Sequence, residues 1–181
     1  HNTHVTATLH TSKMTTLILD RRSKILYADQ QETYGKAMRV PTHKIVPLKL
    51  KTKNYGWIAL AGSTEEGETF LRYVSKLDDF EEIKDLNEKR PNWNKLGGIV
   101  VGPNDKTFLI GCDGTPWPIY CDYMTDGAGW EAALILLDLG INVPQIYTLL
   151  HNRTVHTSAA FDYIEYGKKN AKIIYDQIYT A

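Results

Sequence analysis

Apolar and polar positions along this chain change period several times, and each change marks a block. Residues 1–13, HNTHVTATLHTSK, interleave Val5, Ala7 and Leu9 with His4, Thr6, Thr8 and His10, an alternation that suits a strand. From Thr15 strand patterns crowd together. Thr15–Asp20 (TTLILD) and Lys24–Asp29 (KILYAD) flank Arg21-Arg22-Ser23, a length that suits a hairpin. Lys44–Leu48 and Tyr55–Ala61 follow, joined by a polar turn at residues 51–54. Proline cannot donate to a ladder, so Pro47 puts its strand at a sheet edge or a bulge.

The period then lengthens. Thr64 stands where a helix cap belongs, with Glu65 and Glu66 in the first turn and Gly67 weakening it. Phe70, Val74, Leu77, Phe80 and Ile83 recur every three or four residues, predicting a helix with one buried stripe that ends before Pro91. Strands resume at Gly98–Val101, Thr107–Ile110 and Trp117–Tyr120, with turn residues between them at 103–105 and 113–115. Trp130–Leu139 is apolar on nearly every face, which predicts a buried helix closed by Gly140. Pro144 suits the first turn of a further helix running through Leu150. Phe161–Tyr166 reads as the last strand and Ala171–Tyr179 as a tail helix. Runs of strands separated by paired helices give an α+β chain with sheets covered by helices.

Composition refines this picture only a little. A chain of 181 residues and 20.6 kDa suffices for one domain with a sizeable core, and no Pro/Gly/Ser-rich linker divides it. Its 21 basic residues balance 21 acidic ones, so nothing argues for the electrostatic footprint of a nucleic-acid or anionic-membrane binder. The longest apolar run, residues 132–137, falls far short of the roughly 20 needed to span a bilayer. Cys112 and Cys121 lack metal-type spacing; two reduced thiols on neighbouring strands is the expected reading, with a lone disulfide as the alternative. No signal-peptide pattern opens the sequence, so a cytoplasmic location is expected. The chain starts at His1 and Met14 directly precedes Thr15. Residues 1–14 are therefore expected to be a leader, either a processed propeptide or an expression-derived segment, before a single domain at 15–181.

Several short pieces carry a family resemblance. Thr15-Thr16 is followed by Arg21-Arg22, and Tyr27-Ala28-Asp29 by Thr33-Tyr34-Gly35. Lys44-Ile45-Val46 and Ile58-Ala59-Leu60-Ala61-Gly62-Ser63-Thr64 come next, and Asp126-Gly127-Ala128-Gly129 opens an apolar helix. In this order and spacing they resemble the proteasome β-subunit and bacterial HslV-like family of N-terminal nucleophile (Ntn) hydrolases, over roughly residues 15–165. The resemblance implies a four-layer αββα sandwich: two stacked, mostly antiparallel sheets flanked by helices. It also implies a threonine endopeptidase that needs no cofactor and no metal, acts on peptides or unfolded proteins, and assembles as a homo-oligomer, ring or open. An ATPase unfoldase is the partner such peptidases take.

The chemistry of such a site can be stated from its parts. A threonine hydroxyl is a weak nucleophile until a base stands beside it, and a free α-amine of pKa about 7.7–8 is a usable base near neutral pH. A nucleophile at the first residue brings both groups together. A nearby ammonium favours the unprotonated amine and stabilises developing negative charge, and a carboxylate holds that ammonium. By resemblance Thr15 is the nucleophile, Lys44 the ammonium and Asp29 the carboxylate. The backbone N–H of Ala59, where the family commonly has glycine, is the expected oxyanion donor, and Thr33 and Ala61 are expected to meet the substrate.

The sequence departs from the family at three places. Asp126 replaces a serine that helps hold the threonine amine, and a carboxylate there would keep that amine protonated. The family's further aspartate has no counterpart, with His156 or Ser158 nearest. Met14 stands where propeptides usually end in glycine, so self-cleavage is not expected; if Met14 is an initiator, its removal before a small residue would free Thr15. These departures support an alternative, a catalytically inactive proteasome-fold scaffold, to which Tyr163, Tyr166, Tyr175 and Tyr179 would offer interface side chains.

Overall fold

A computed structural model describes residues 12–13, 15–34, 38–84, 90–154 and 157–181. The proposed strand at residues 5–9, Met14 and His156 lie outside the described residues. The strands are β1 (Ser12–Lys13), β2 (Thr16–Asp20), β3 (Ile25–Asp29), β4 (Gln31–Tyr34), β5 (Met38–Pro41), β6 (Ile45–Lys49) and β7 (Asn54–Ser63). After helix α1 (Thr64–Val74) come β8 (Leu96–Val101), β9 (Thr107–Ile110), β10 (Pro116–Pro118) and β11 (Tyr123–Gly127). Helices α2 (Trp130–Asp138) and α3 (Val143–Arg153) precede β12 (Phe161–Glu165) and β13 (Ile173–Gln177).

The chain is α+β, with two antiparallel sheets. The larger runs β10-β9-β8-β7-β1-β4-β5, with β6 also paired to β7, and the smaller runs β11-β2-β3-β12-β13. Strand alternation divides the apolar residues among three cores. Leu17, Leu19, Leu26 and Ala28 of the smaller sheet meet Ile45, Ala59, Ala61, Ile99 and Val101 of the larger. Ile18 and Phe161, on the opposite face, pack with Ala133, Ile146, Tyr147 and Leu150 of α2 and α3. Ile58, Leu60 and Val100 of the larger sheet pack with Phe70 and Val74 of α1. Because the side-chain period of a strand is two, Leu17 and Ile18 are neighbours in sequence yet serve different cores.

Pro47 behaves as its chemistry requires: among the described residues β6 pairs only with β7, and its register shifts between Leu48 and Lys49. Four expectations need correction. The cap of α1 is Ser63, whose hydroxyl accepts the Glu66 N–H, not Thr64. That helix stops at Val74 rather than continuing towards Pro91, and a separate 3₁₀ turn at Phe80–Lys84 follows. Leu77, Phe80 and Ile83 are buried all the same, because the turn lays them against the same core. The Ser75 hydroxyl donates to the Arg72 carbonyl and Asp79 accepts the Glu81 N–H, so polar side chains take up backbone groups where the helix breaks.

Helix α2 is not buried all round. Only Ala133 is fully enclosed, while Trp130, Ile135 and Leu139 are exposed, since the helix has a sheet and α3 on one side and no described element on the other. The tail helix is instead a strand. β13 pairs antiparallel with β12, whose edge would otherwise stand open, and the run Ile173-Ile174-Tyr175 has the β-branched and aromatic content a strand favours. Strands β4, β5 and β11 have no clear apolar alternation in sequence and form through their partners. Cys112 and Cys121 are free and exposed. No helix among the described residues is long and apolar enough to cross a membrane.

Candidate functional site

Thr15 enters β2 beside the end of β3, because the hairpin through Arg21–Lys24 sets Leu17 opposite Ala28. That register brings Asp29 at the end of β3 next to Thr15 at the start of β2. Lys44 immediately precedes β6 on the other sheet, and its side chain reaches the same point. Thr15, Asp29 and Lys44 are all completely buried.

Their polar atoms converge. The Thr15 hydroxyl donates to Asp29 Oδ1 at 2.5 Å, and Lys44 Nζ donates both to Thr15 Oγ1 and, at 2.6 Å, to Asp29 Oδ1. Asp29 is held by further donors: the Thr16 N–H on Oδ1 at 3.1 Å, and the N–H groups of Ser158 and Gln31 on Oδ2 at 3.1 and 3.3 Å. A buried carboxylate needs that many partners, since an ion out of water costs several kcal/mol unless paired and fully hydrogen-bonded.

The support around Thr15 comes from α3 and the segment after it. Tyr147 Oη donates to the Thr16 carbonyl at 3.0 Å, and the Thr16 and Thr157 hydroxyls share a 2.7 Å hydrogen bond. Ser158 Oγ accepts the Gln30 N–H and donates to the Ala160 carbonyl. Gly127 has φ +88°, and a side chain there would put Cβ 2.2 Å from the Thr15 carbonyl, so only glycine lets β11 approach the start of β2 this closely.

The other expected site residues make different contacts. Asp126 directs its carboxylate across to the larger sheet, where Oδ2 accepts the Gly98 N–H at 3.0 Å, and Oδ1 accepts the Gly127 N–H at 2.8 Å. Burial raises its pKa above the ordinary carboxylate value, against the opposing pull of those two N–H groups. Among the described residues its hydrogen bonds do not reach Thr15, Asp29 or Lys44. Ala59 pairs with Ile45 on one side and Ile99 on the other, so its N–H serves a ladder. Ala61 lies in the inter-sheet core, 3% exposed. Thr33 is opposite Ser12 in the β4–β1 pair.

Gly62, which sequence reasoning passed over, is better placed than Ala59. The Leu60 N–H goes to the Lys44 carbonyl and the Ser63 N–H goes the other way, to the Lys95 carbonyl. Strand alternation therefore turns the Gly62 N–H towards β1, and Gly62 is paired with Lys13 there. β1 itself runs antiparallel between β4 and β7, Ser12 meeting Thr33 and Ser63. The two residues before Met14 thus fill a strand-shaped slot leading to Thr15. A signal for Gly62 existed only in the structure: which edge its N–H faces depends on where β6 ends.

The arrangement offers a hydroxyl in contact with an ammonium, held by a carboxylate. It does not offer a base as the chain stands, because Thr15 follows Met14 and its nitrogen is a peptide amide. No protein-family model matches this chain, and no curated protein matches it.

Proposed function

We propose that this protein is an N-terminal threonine peptidase of the proteasome and HslV-like kind, active once Thr15 is the first residue. The observation that carries the reading is the buried cluster in which Lys44 Nζ bridges Thr15 Oγ1 and Asp29 Oδ1. With residues 1–14 removed, the Thr15 α-amine takes the proton of its own hydroxyl, and Oγ1 attacks the peptide carbonyl carbon. Lys44 stabilises the negative charge developing on Oγ1, and Asp29 keeps Lys44 in place. The Gly62 N–H is the oxyanion donor, in place of Ala59. The amine then returns the proton to the departing nitrogen, leaving an acyl ester on Thr15 that water hydrolyses.

An extended substrate takes the slot that β1 occupies, adding a strand between β4 and β7, with Thr33 on one side and Gly62–Ser63 on the other. The four-layer αββα sandwich belongs to the same proposal. It is supported by three cores in sequence: α1 on the larger sheet, sheet on sheet, and the smaller sheet on α2 and α3. Assembly as a homo-oligomer, an unfoldase partner and a cytoplasmic location come with the reading as expectations.

A second reading, an inactive scaffold with this fold, rests on the loss of the family's serine at position 126: the Asp126 carboxylate that replaces it is committed to the Gly98 and Gly127 N–H groups and leaves the serine's role of holding the Thr15 amine unfilled. One experiment separates the two. Protein released from a cleavable fusion with Thr15 as its N-terminus is incubated with a threonine-directed peptide epoxyketone, and its intact mass is measured. One adduct, absent in Thr15→Ala, is the expected result; a free Thr15 that never reacts overturns the peptidase reading and leaves the scaffold.

A further inference from the structure

Away from Thr15, three segments bring a histidine and two aspartates together. His43 lies between β5 and β6, Asp162 in β12 and Asp176 in β13. One ligand atom from each falls within 4.8 Å of the others. His43 Nδ1 is 2.7 Å from Asp162 Oδ2. Asp162 Oδ1 and Asp176 Oδ1 converge on a single nitrogen, Gln30 Nε2, at 2.6 and 2.7 Å.

The backbone is shaped to make this meeting. The β12–β13 register shifts between Phe161 and Tyr163, so the β13 partners jump from Gln177 to Ile174 and leave an extra residue opposite Asp162. Bulges of this kind re-aim a side chain. Asp176 takes a left-handed φ of 58° in this stretch, and its N–H donates to Asp162 Oδ1 at 3.0 Å. The Tyr175 ring stands edge-on to the His43 imidazole, 4.6 Å away.

Among the described residues no lysine or arginine balances the charge in this cluster: Asp162 is wholly buried, and neither it nor Asp176 forms an ion pair with one. Among the described residues the ion-pair partner of Asp162 is His43, which is half-exposed. Two carboxylates, an imidazole nitrogen and a carboxamide oxygen one amide flip away are a donor set for a cation, open to solvent on the His43 and Asp176 side.

We propose that His43, Asp162 and Asp176 form a binding site for a divalent transition-metal ion, with zinc as the preferred occupant. One nitrogen and two carboxylate oxygens suit Zn²⁺, with water or the Gln30 carboxamide in the fourth position. Bonds of about 2.0–2.2 Å put ligand atoms on one ion roughly 3.4 Å apart, so the His43–Asp162 hydrogen bond opens by under about 1 Å to admit it. Magnesium, which keeps most of its waters and favours oxygen, is a poor fit. The bound ion would tie β12 and β13 to the segment carrying Lys44, the residue after His43.

Zinc binding by isothermal titration calorimetry tests this in the full chain carrying His1→Ala, His4→Ala and His10→Ala, which removes competing histidines near the N-terminus. One Zn²⁺ per chain is expected, with Co²⁺ replacing it and giving visible d–d absorption, and with no heat from Mg²⁺ at the same concentration. Adding His43→Ala, or separately Asp176→Asn, is expected to weaken zinc at least tenfold, since loss of even an outer-shell partner costs about 10–100-fold. Asp176 is exposed, so Asp176→Asn tests the site without disturbing the core. Absence of zinc binding, or zinc affinity unchanged by both substitutions, overturns the proposal.

Discussion

Lys44 Nζ lies 2.6 Å from Asp29 Oδ1, and both side chains are wholly excluded from solvent although they come from different sheets. The pair joins the end of β3 to the start of β6 through the interior. It also fixes the Thr15 hydroxyl, which contacts both partners.

Removing one member of this pair leaves the other charged and unpaired in the core. Lys44→Met is expected to lower unfolding free energy by about 3–5 kcal/mol. Lys44→Met combined with Asp29→Asn should cost less than the two single changes added together, because neither charge is then stranded. Urea unfolding of the four proteins measures this; strictly additive losses would show that the pair is not coupled.

Tyr147 supports β2 by a single hydroxyl. Tyr147→Phe keeps the ring stacked on Phe161, whose centroid is 5.2 Å away, and deletes only the donor to the Thr16 carbonyl. The expected loss is about 1–2 kcal/mol. A stability equal to that of the parent would mean that the Thr16 carbonyl finds another donor.

Asp126 makes stability depend on pH in a defined direction. Its folded-state pKa is raised, first by burial, above the ordinary value of about 3.9 expected in the unfolded chain. Its contribution is therefore fully present below pH 3.9 and is lost as pH rises through the folded value. Asp126→Asn keeps an acceptor for the Gly98 N–H and has no charge to bury. Parent stability relative to Asp126→Asn should fall as pH is raised from 4 towards neutrality, read from urea midpoints. A difference that stays flat, or rises, contradicts the assignment.

The first turn of α1 separates two neighbouring residues. Ser63→Ala removes the cap to the Glu66 N–H and is expected to cost about 1 kcal/mol, whereas Ser63→Gly should cost only a few tenths. Thermal unfolding of both variants distinguishes them. Equal losses would mean that the hydroxyl serves something other than the cap.

Much of the fold was legible in one dimension. The β2–β3 hairpin, the edge position of β6, the long β7 and helix α3 follow from alternation, turn residues and proline chemistry, which act over a few neighbouring residues. The misreadings occur where a distant partner decides. Residues 173–177 carry strand-forming side chains, but only the open edge of β12 makes them a strand. The stripe ending in Leu77, Phe80 and Ile83 is buried as its spacing predicts but is not one helix, since burial depends on periodicity and continuity on local polar competition.

At the candidate site the sequence supplied Thr15, Asp29 and Lys44 through a resemblance, and no spacing along the chain could show that Lys44 crosses from the other sheet to reach them. The sequence alone determined the alternating strands, the helix stripes and the overall charge balance, because these depend on residue type and local order. Tertiary structure decided which N–H at the end of β7 turns towards β1, where the Asp126 carboxylate points, and that His43, Asp162 and Asp176 meet. Each of those depends on pairing register between strands far apart in sequence, and a shift of one residue would reverse which way every group faces.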